Sequence, residues 1–123
     1  MKKILLILSL LLIQVIAFAQ LELVTGYRLY LGVPGLYGND WDDGHNCNVL
    51  ISFSKSNAVV YSQEEQFYRV IEQTFTSENQ TKWLAQDDDG QNCYIILGYD
   101  PKVNSTYFMI EYSNLVICYF TKS

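Results

Sequence analysis

Beyond residue 20 the chain alternates. Apolar and polar positions change place every second residue through runs rich in Tyr, Val, Ile, Phe and Thr, which is how strands read. The pattern predicts eight of them: Glu22 to Leu31, Asn48 to Phe53, Ala58 to Ser62, Phe67 to Thr76, Thr81 to Asp87, Asn92 to Tyr99, Ser105 to Tyr112 and Leu115 to Thr121. Short turns join them, so the expected fold is all-β, a sequential antiparallel meander forming a small barrel or sandwich.

Two hairpins fix their own register. In Asp87-Asp88-Asp89-Gly90 the glycine can take the left-handed conformation that closes a tight turn. With Asp87 opposite Gln91, Trp83 and Ala85 share a face with Cys93, Ile95 and Leu97, the expected core face. The last hairpin turns at Ser113-Asn114 and sets Ile110 opposite Ile117 and Met109 opposite Cys118. Both of its faces are apolar, and strands of that kind are covered on both sides. Tyr107, Met109 and Phe120 on one of these faces are a candidate interaction surface, to be covered by other parts of the chain, a partner subunit or a ligand.

One segment reads two ways. Ser62-Gln63-Glu64-Glu65 matches a capping box, and Phe67, Val70, Ile71 and Phe75 then fall at helical spacing, which gives an α+β alternative with a helix near 63–74. The flanking Val59-Val60-Tyr61 and Phe67-Tyr68 favour a hairpin instead.

The first nineteen residues differ from all of this. Lys2 and Lys3 precede an apolar run, and Ala17-Phe18-Ala19 supplies the small-x-small pattern of a signal-peptidase site, so residues 1–19 read as a secretory signal cleaved between Ala19 and Gln20. The run is too short for a stable membrane span. Residues 20–123 are then a single exported β domain, periplasmic or extracellular. Of 8 basic and 13 acidic residues, two basic ones leave with the signal, so the remaining formal charge is −7. No Lys/Arg cluster balances it, which excludes electrostatic binding of nucleic acid.

Export brings three cysteines, Cys47, Cys93 and Cys118, into an oxidising compartment. Three pairings exist. Cys47 with Cys93 is favoured because each opens an apolar alternating run, whereas Cys118 sits inside one, where a thiol behaves as a small hydrophobe.

No cluster specifies a reaction. Asp40, Asp42 and Asp43 offer oxygen ligands to a hard cation, but their spacing around Gly44 fails the EF-hand template, and a solvated loop is the simpler reading. Asp87 to Asp89 fail in the same way. His45 with Cys47 would need a reduced thiol and a third orienting group to form a nucleophilic pair. Asp40, Asp42 and Glu111 are carboxylates of the type glycoside hydrolysis uses, with nothing to select a pair. Asn79 and Asn104 head sequons that also read as turns. The Gly/Tyr-rich stretch from Tyr27 to Trp41 reads as a recognition surface or, more simply, an irregular connection.

The run from Trp83 to Cys93, with Trp83, Asp87, Gly90 and Cys93 as its marks, resembles small exported bacterial β-rich proteins of unassigned activity. The resemblance implies an exported β domain and carries no catalytic residue. The expected function is non-enzymatic binding of a small apolar ligand, in a barrel-like interior, or of a protein partner through an aromatic face, with homodimerisation one form of the latter. No metal or cofactor is expected. The rivals are a small hydrolase using an acidic pair and a structural envelope component.

Overall fold

A computed structural model describes residues 22–54 and 56–122. The signal segment, its cleavage site and the export they imply lie outside the described residues. The rest forms β1 (Glu22–Gly35), β2 (Gly38–Trp41), β3 (His45–Phe53), β4 (Asn57–Tyr61), β5 (Gln66–Thr76), β6 (Gln80–Asp87), β7 (Asn92–Asp100), β8 (Ser105–Glu111) and β9 (Val116–Lys122). All neighbours are antiparallel, in the order β2-β1-β3-β4-β5-β6-β7-β8-β9, and β1 also pairs with β9. Eight strands thus close into a barrel, and β2 hangs from the far half of β1 as a hairpin flap.

The closure depends on the length of β1. Along one edge it pairs with β3, from Glu22↔Phe53 to Leu29↔His45, and along the other with β9, from Thr25↔Lys122 to Gly32↔Val116, so that its middle is paired on both sides. Past β3, its last four residues pair with β2, from Gly32↔Trp41 to Gly35↔Gly38. A strand this long tilts across the barrel and serves both edges, which is the stagger that closing a twisted sheet requires.

Alternation then sorts the side chains. Ile51, Val60, Ile95, Phe108 and Ile110 point inward and are wholly buried, with Tyr68, Cys93 and Tyr119 packed among them. Phe53 tilts against Trp83 with ring centroids 4.9 Å apart and meets Phe108 at 6.4 Å. Eight strands enclose an interior that side chains can fill, and here this continuous aromatic and aliphatic cluster fills it.

Both predicted hairpin registers are present: Ala85↔Cys93 and Trp83↔Ile95 across β6–β7, and Ile110↔Ile117 and Met109↔Cys118 across β8–β9. Gly90 takes φ +79° in the first turn, where Asp87 Oδ1 accepts the N–H groups of Asp89 and Gln91. The helical alternative near 63–74 is not formed. Ser62 donates to the Glu64 carbonyl and accepts from Gln66 Nε2, which closes a turn, and Tyr68↔Asp87 with Val70↔Ala85 holds the following residues as strand β5.

Two other expectations are corrected. The Gly/Tyr stretch is a paired hairpin, β1 running into β2, and not an irregular connection. The cysteines are unpaired thiols. Cys47 and Cys93 both face the core but stand on β3 and β7, four strands apart in an eight-stranded ring and so on opposite walls. Cys47 donates instead to the Gly26 carbonyl at 3.4 Å.

Candidate functional site

The outer face of β1, β9 and β8 carries a groove of about 610 Å³. A register shift between Gly26 and Arg28 creates one wall of it. Gly26 faces the core, where a Cβ would press on Tyr119, and Leu29 packs against the core again. The shift turns both Tyr27 and Arg28 outward, as a bulge does, and Tyr30 follows them. The Tyr27 hydroxyl reaches across to Ser105 at 3.3 Å.

The floor is the outer face of the last hairpin. Met109 stands opposite Cys118 and Tyr107 opposite Phe120. Phe120 meets Tyr30 edge-on at 5.6 Å and Tyr107 at 6.2 Å, so three rings form one continuous surface. Two glycines make room for it. The Tyr107 ring lies over Gly98, in the space a Cβ would take, and the Trp41 indole lies over Gly32. A strand glycine that marks close approach is the general pattern. The β2 flap, through Trp41 and Asp42, and the β7–β8 turn, through Asp100 and Val103, stand at the two rims.

Charge is confined to the walls and rims. Arg28 is anchored on its wall: Nη1 donates to Asn46 Oδ1 at 2.9 Å, Nη2 donates to the Asp43 carbonyl at 3.1 Å, and the guanidinium lies 5.6 Å from the centre of the Tyr30 ring. Among the described residues Asp42 uses only Oδ1, which accepts from the N–H groups of Leu31 and Gly44, each at 3.0 Å. Asp100 likewise uses Oδ1, for the N–H of Lys102 at 2.9 Å. Burial pushes the Cys118 thiol up to about 12, with Asp100 adding to the effect, and burial also raises the Tyr107 phenol. Both groups are neutral at physiological pH, and neither is an activated nucleophile.

A second, shallower cavity of about 440 Å³ lies at one end of the barrel between Glu65, Tyr68, Asp88 and Tyr112. Its order comes from Tyr112, whose hydroxyl donates to Asp87 Oδ2 at 2.8 Å, and from Tyr68, which donates to Gln66 Oε1 at 2.8 Å. Burial alone would raise Asp87, but the Tyr112 hydroxyl and the N–H groups of Gln91 and Asp89 outweigh it and hold the carboxyl below its usual range.

The residues singled out from sequence distribute as follows. Tyr107, Met109 and Phe120 come together in the groove. Cys47 and Cys93 belong to the core. His45 is exposed at the start of β3. Glu111 is taken by an ion pair with Lys82 at 3.3 Å, and Asp42 organises a turn. Among the described residues no group of His, Cys, Asp and Glu could hold a metal ion. Sequence reasoning missed Tyr27, Tyr30, Trp41 and Asp100 as partners of the C-terminal hairpin. The available signal was Gly32 and Gly98, glycines inside apolar strand patterns with large rings at their cross-strand positions.

Comparison of the chain with protein-family models, with curated proteins and with solved structures found no match.

Proposed function

We propose that this chain is an exported, non-enzymatic β-barrel domain that binds a small organic ligand in the outer aromatic groove. One observation carries the reading: side chains fill the barrel interior, while an open cavity of ligand size lies outside it, lined by Tyr27, Tyr30, Trp41, Tyr107 and Phe120 over a floor of Met109 and Cys118. Cavities of about 300–1,000 Å³ with apolar linings and a few polar groups are the usual form of small-molecule sites. The neutral thiol and phenol there favour binding over catalysis.

The test uses Met109, the one methionine beyond Met1. With [¹³C-methyl]methionine incorporated, the folded domain gives a single methyl resonance from the groove floor. Titration with aromatic and short-chain alkyl fragments is expected to move it saturably. A resonance indifferent to every fragment class would remove the groove as a ligand site.

A second reading, a protein partner, is favoured by the flap. Leu36 and Tyr37 at its tip are 89% and 99% exposed, and among the described residues β2 ends the sheet with an unpaired edge of the kind that pairs with other chains. Sedimentation over a wide concentration range tests the homodimeric form, with monomer at every concentration counting against it.

A further inference from the structure

We propose that the ligand class of the groove is an organic cation, an alkylated ammonium group held against the aromatic rings between two carboxylates; the proposal rests on the groove being a ligand site. Three observations on the same cavity point there. The first is composition: four of its five aromatic residues are Tyr or Trp, whose ring faces carry the negative part of the quadrupole and attract a cation within about 6 Å. The second is an internal precedent. The Arg28 guanidinium already sits 5.6 Å from the Tyr30 ring centre, so this ring system holds a cation in the protein itself.

The third is the distribution of charge. Asp42 and Asp100 stand at the two rims, and each engages only Oδ1 in its hydrogen bonds, with Oδ2 left over among the described residues. Among the described residues the one cation of the lining, Arg28, keeps its charge but is fixed on the wall by Asn46, the Asp43 carbonyl and Tyr30. The lining therefore carries two carboxylates against one guanidinium, and an anionic ligand would meet an excess of negative charge. A cationic one gains from both carboxylates and from a chain of formal charge −5. A strongly hydrated primary ammonium loses more on entering an aromatic site than a methylated one, whose methyl groups also suit the floor of Met109 and Phe120.

The same chemistry occurs as a free small molecule and as a phospholipid headgroup, so both forms are used. The [¹³C-methyl]Met109 resonance is followed while the protein is titrated with choline chloride, with 3,3-dimethylbutan-1-ol as the neutral isostere of choline, and with phosphatidylcholine vesicles against phosphatidylglycerol vesicles. Choline is expected to shift the resonance saturably and the isostere to bind at least about tenfold more weakly, the loss of the cation–π and carboxylate attractions together. Vesicle binding confined to phosphatidylcholine would support the same chemistry with the headgroup as its source.

Asp42→Asn and Asp100→Asn keep the Oδ1 acceptor that each turn uses and remove only the charge. Each is expected to weaken choline about fivefold while leaving the isostere unchanged. Equal binding of choline and its isostere would overturn the cation proposal and leave the groove as an apolar site. A resonance indifferent to all four probes and to the aromatic and alkyl fragments would overturn the groove reading itself.

Discussion

Gly32 and Trp41 are direct partners across β1 and β2, and the indole occupies the place where a side chain on Gly32 would stand: a Cβ there would lie 2.7 Å from Trp41 Cε3. That pairing lays the flap against the barrel and turns one wall of the groove toward Cys118 and Phe120. Gly32→Ala is therefore expected to lift Trp41 and open the groove while the eight-stranded barrel persists. The cost should be about 1–2 kcal/mol, within the range for overpacking a contact that can give way. The indole N–H resonance of Trp41 should move toward its solvent-exposed position and that of core Trp83 should not. A stationary Trp41 resonance would mean that the flap is held by something other than this fit.

Asp87 links stability to acid. Its carboxyl lies below the usual value because the Tyr112 hydroxyl and two backbone N–H groups outweigh its burial. A folded value below the unfolded one means that the stabilisation is present above about pH 4 and is lost as pH falls through the folded value. Tyr112→Phe should cost about 2 kcal/mol at pH 7, as expected for a hydrogen bond to a charged acceptor, and should flatten the loss of stability between about pH 5 and 3. Urea midpoints for both proteins at pH 7, 5 and 3 check this. Parallel curves would show that the hydroxyl does not bind the ionised form preferentially.

The thiols act at the opposite end of the pH scale. Burial pushes Cys93 up to about 11 and Cys118 up to about 12, from 9.0. Folded values above unfolded ones give stability that is fully present below about pH 9 and is lost as pH rises through the folded values. Replacing both residues by Ala should reduce the fall in urea midpoint between pH 8 and 10.5, with Tyr68, raised to about 12 by burial, sustaining a remainder. Thiol labelling of the native protein should modify Cys47 first and all three cysteines once urea is added, since none is in a disulfide. A mass with fewer than three labels after denaturation would point to a bridge.

Eight of the nine strands and two of the hairpin registers were legible because they are local, whereas β2 was not. Asp87 to Gly90 and Ser113-Asn114 force their neighbours into fixed partners, and alternation then assigns Trp83, Ala85, Cys93, Ile95 and Leu97 to one face. Barrel closure was legible only as one of two options, since nothing within β1 announces that Thr25 to Gly32 will meet β9 while Glu22 to Leu29 meet β3. Half of the groove was also visible. Tyr107, Met109 and Phe120 show as one apolar face, but Tyr27, Tyr30 and Trp41 join them only through that closure and through the shift between Gly26 and Arg28, both of them long-range. The cysteine pairing failed for the same reason. Cys47 and Cys93 each open an apolar run, yet four strands of ring separate them, a distance the spacing along the chain does not encode.

Adjacent residues on β8 separate the two faces of the wall. Ile110 points into the barrel and is wholly buried beside Phe108 and Ile95, whereas Met109 lies half-buried on the floor of a groove that opens to solvent. Ile110→Asp would bury a charge with no partner and should cost more than about 3 kcal/mol, a large share of the stability of a domain of this size. Met109→Asp keeps its carboxylate within reach of water and should cost about 1–2 kcal/mol, chiefly the loss of the thioether from the aromatic floor. Urea denaturation of the two variants measures the difference directly. Equal losses would mean that the groove floor is sealed like a core and that no ligand reaches it, which would remove the physical basis for binding there; a gap of about 2 kcal/mol keeps the interior as scaffold and the outer face as the surface free to bind.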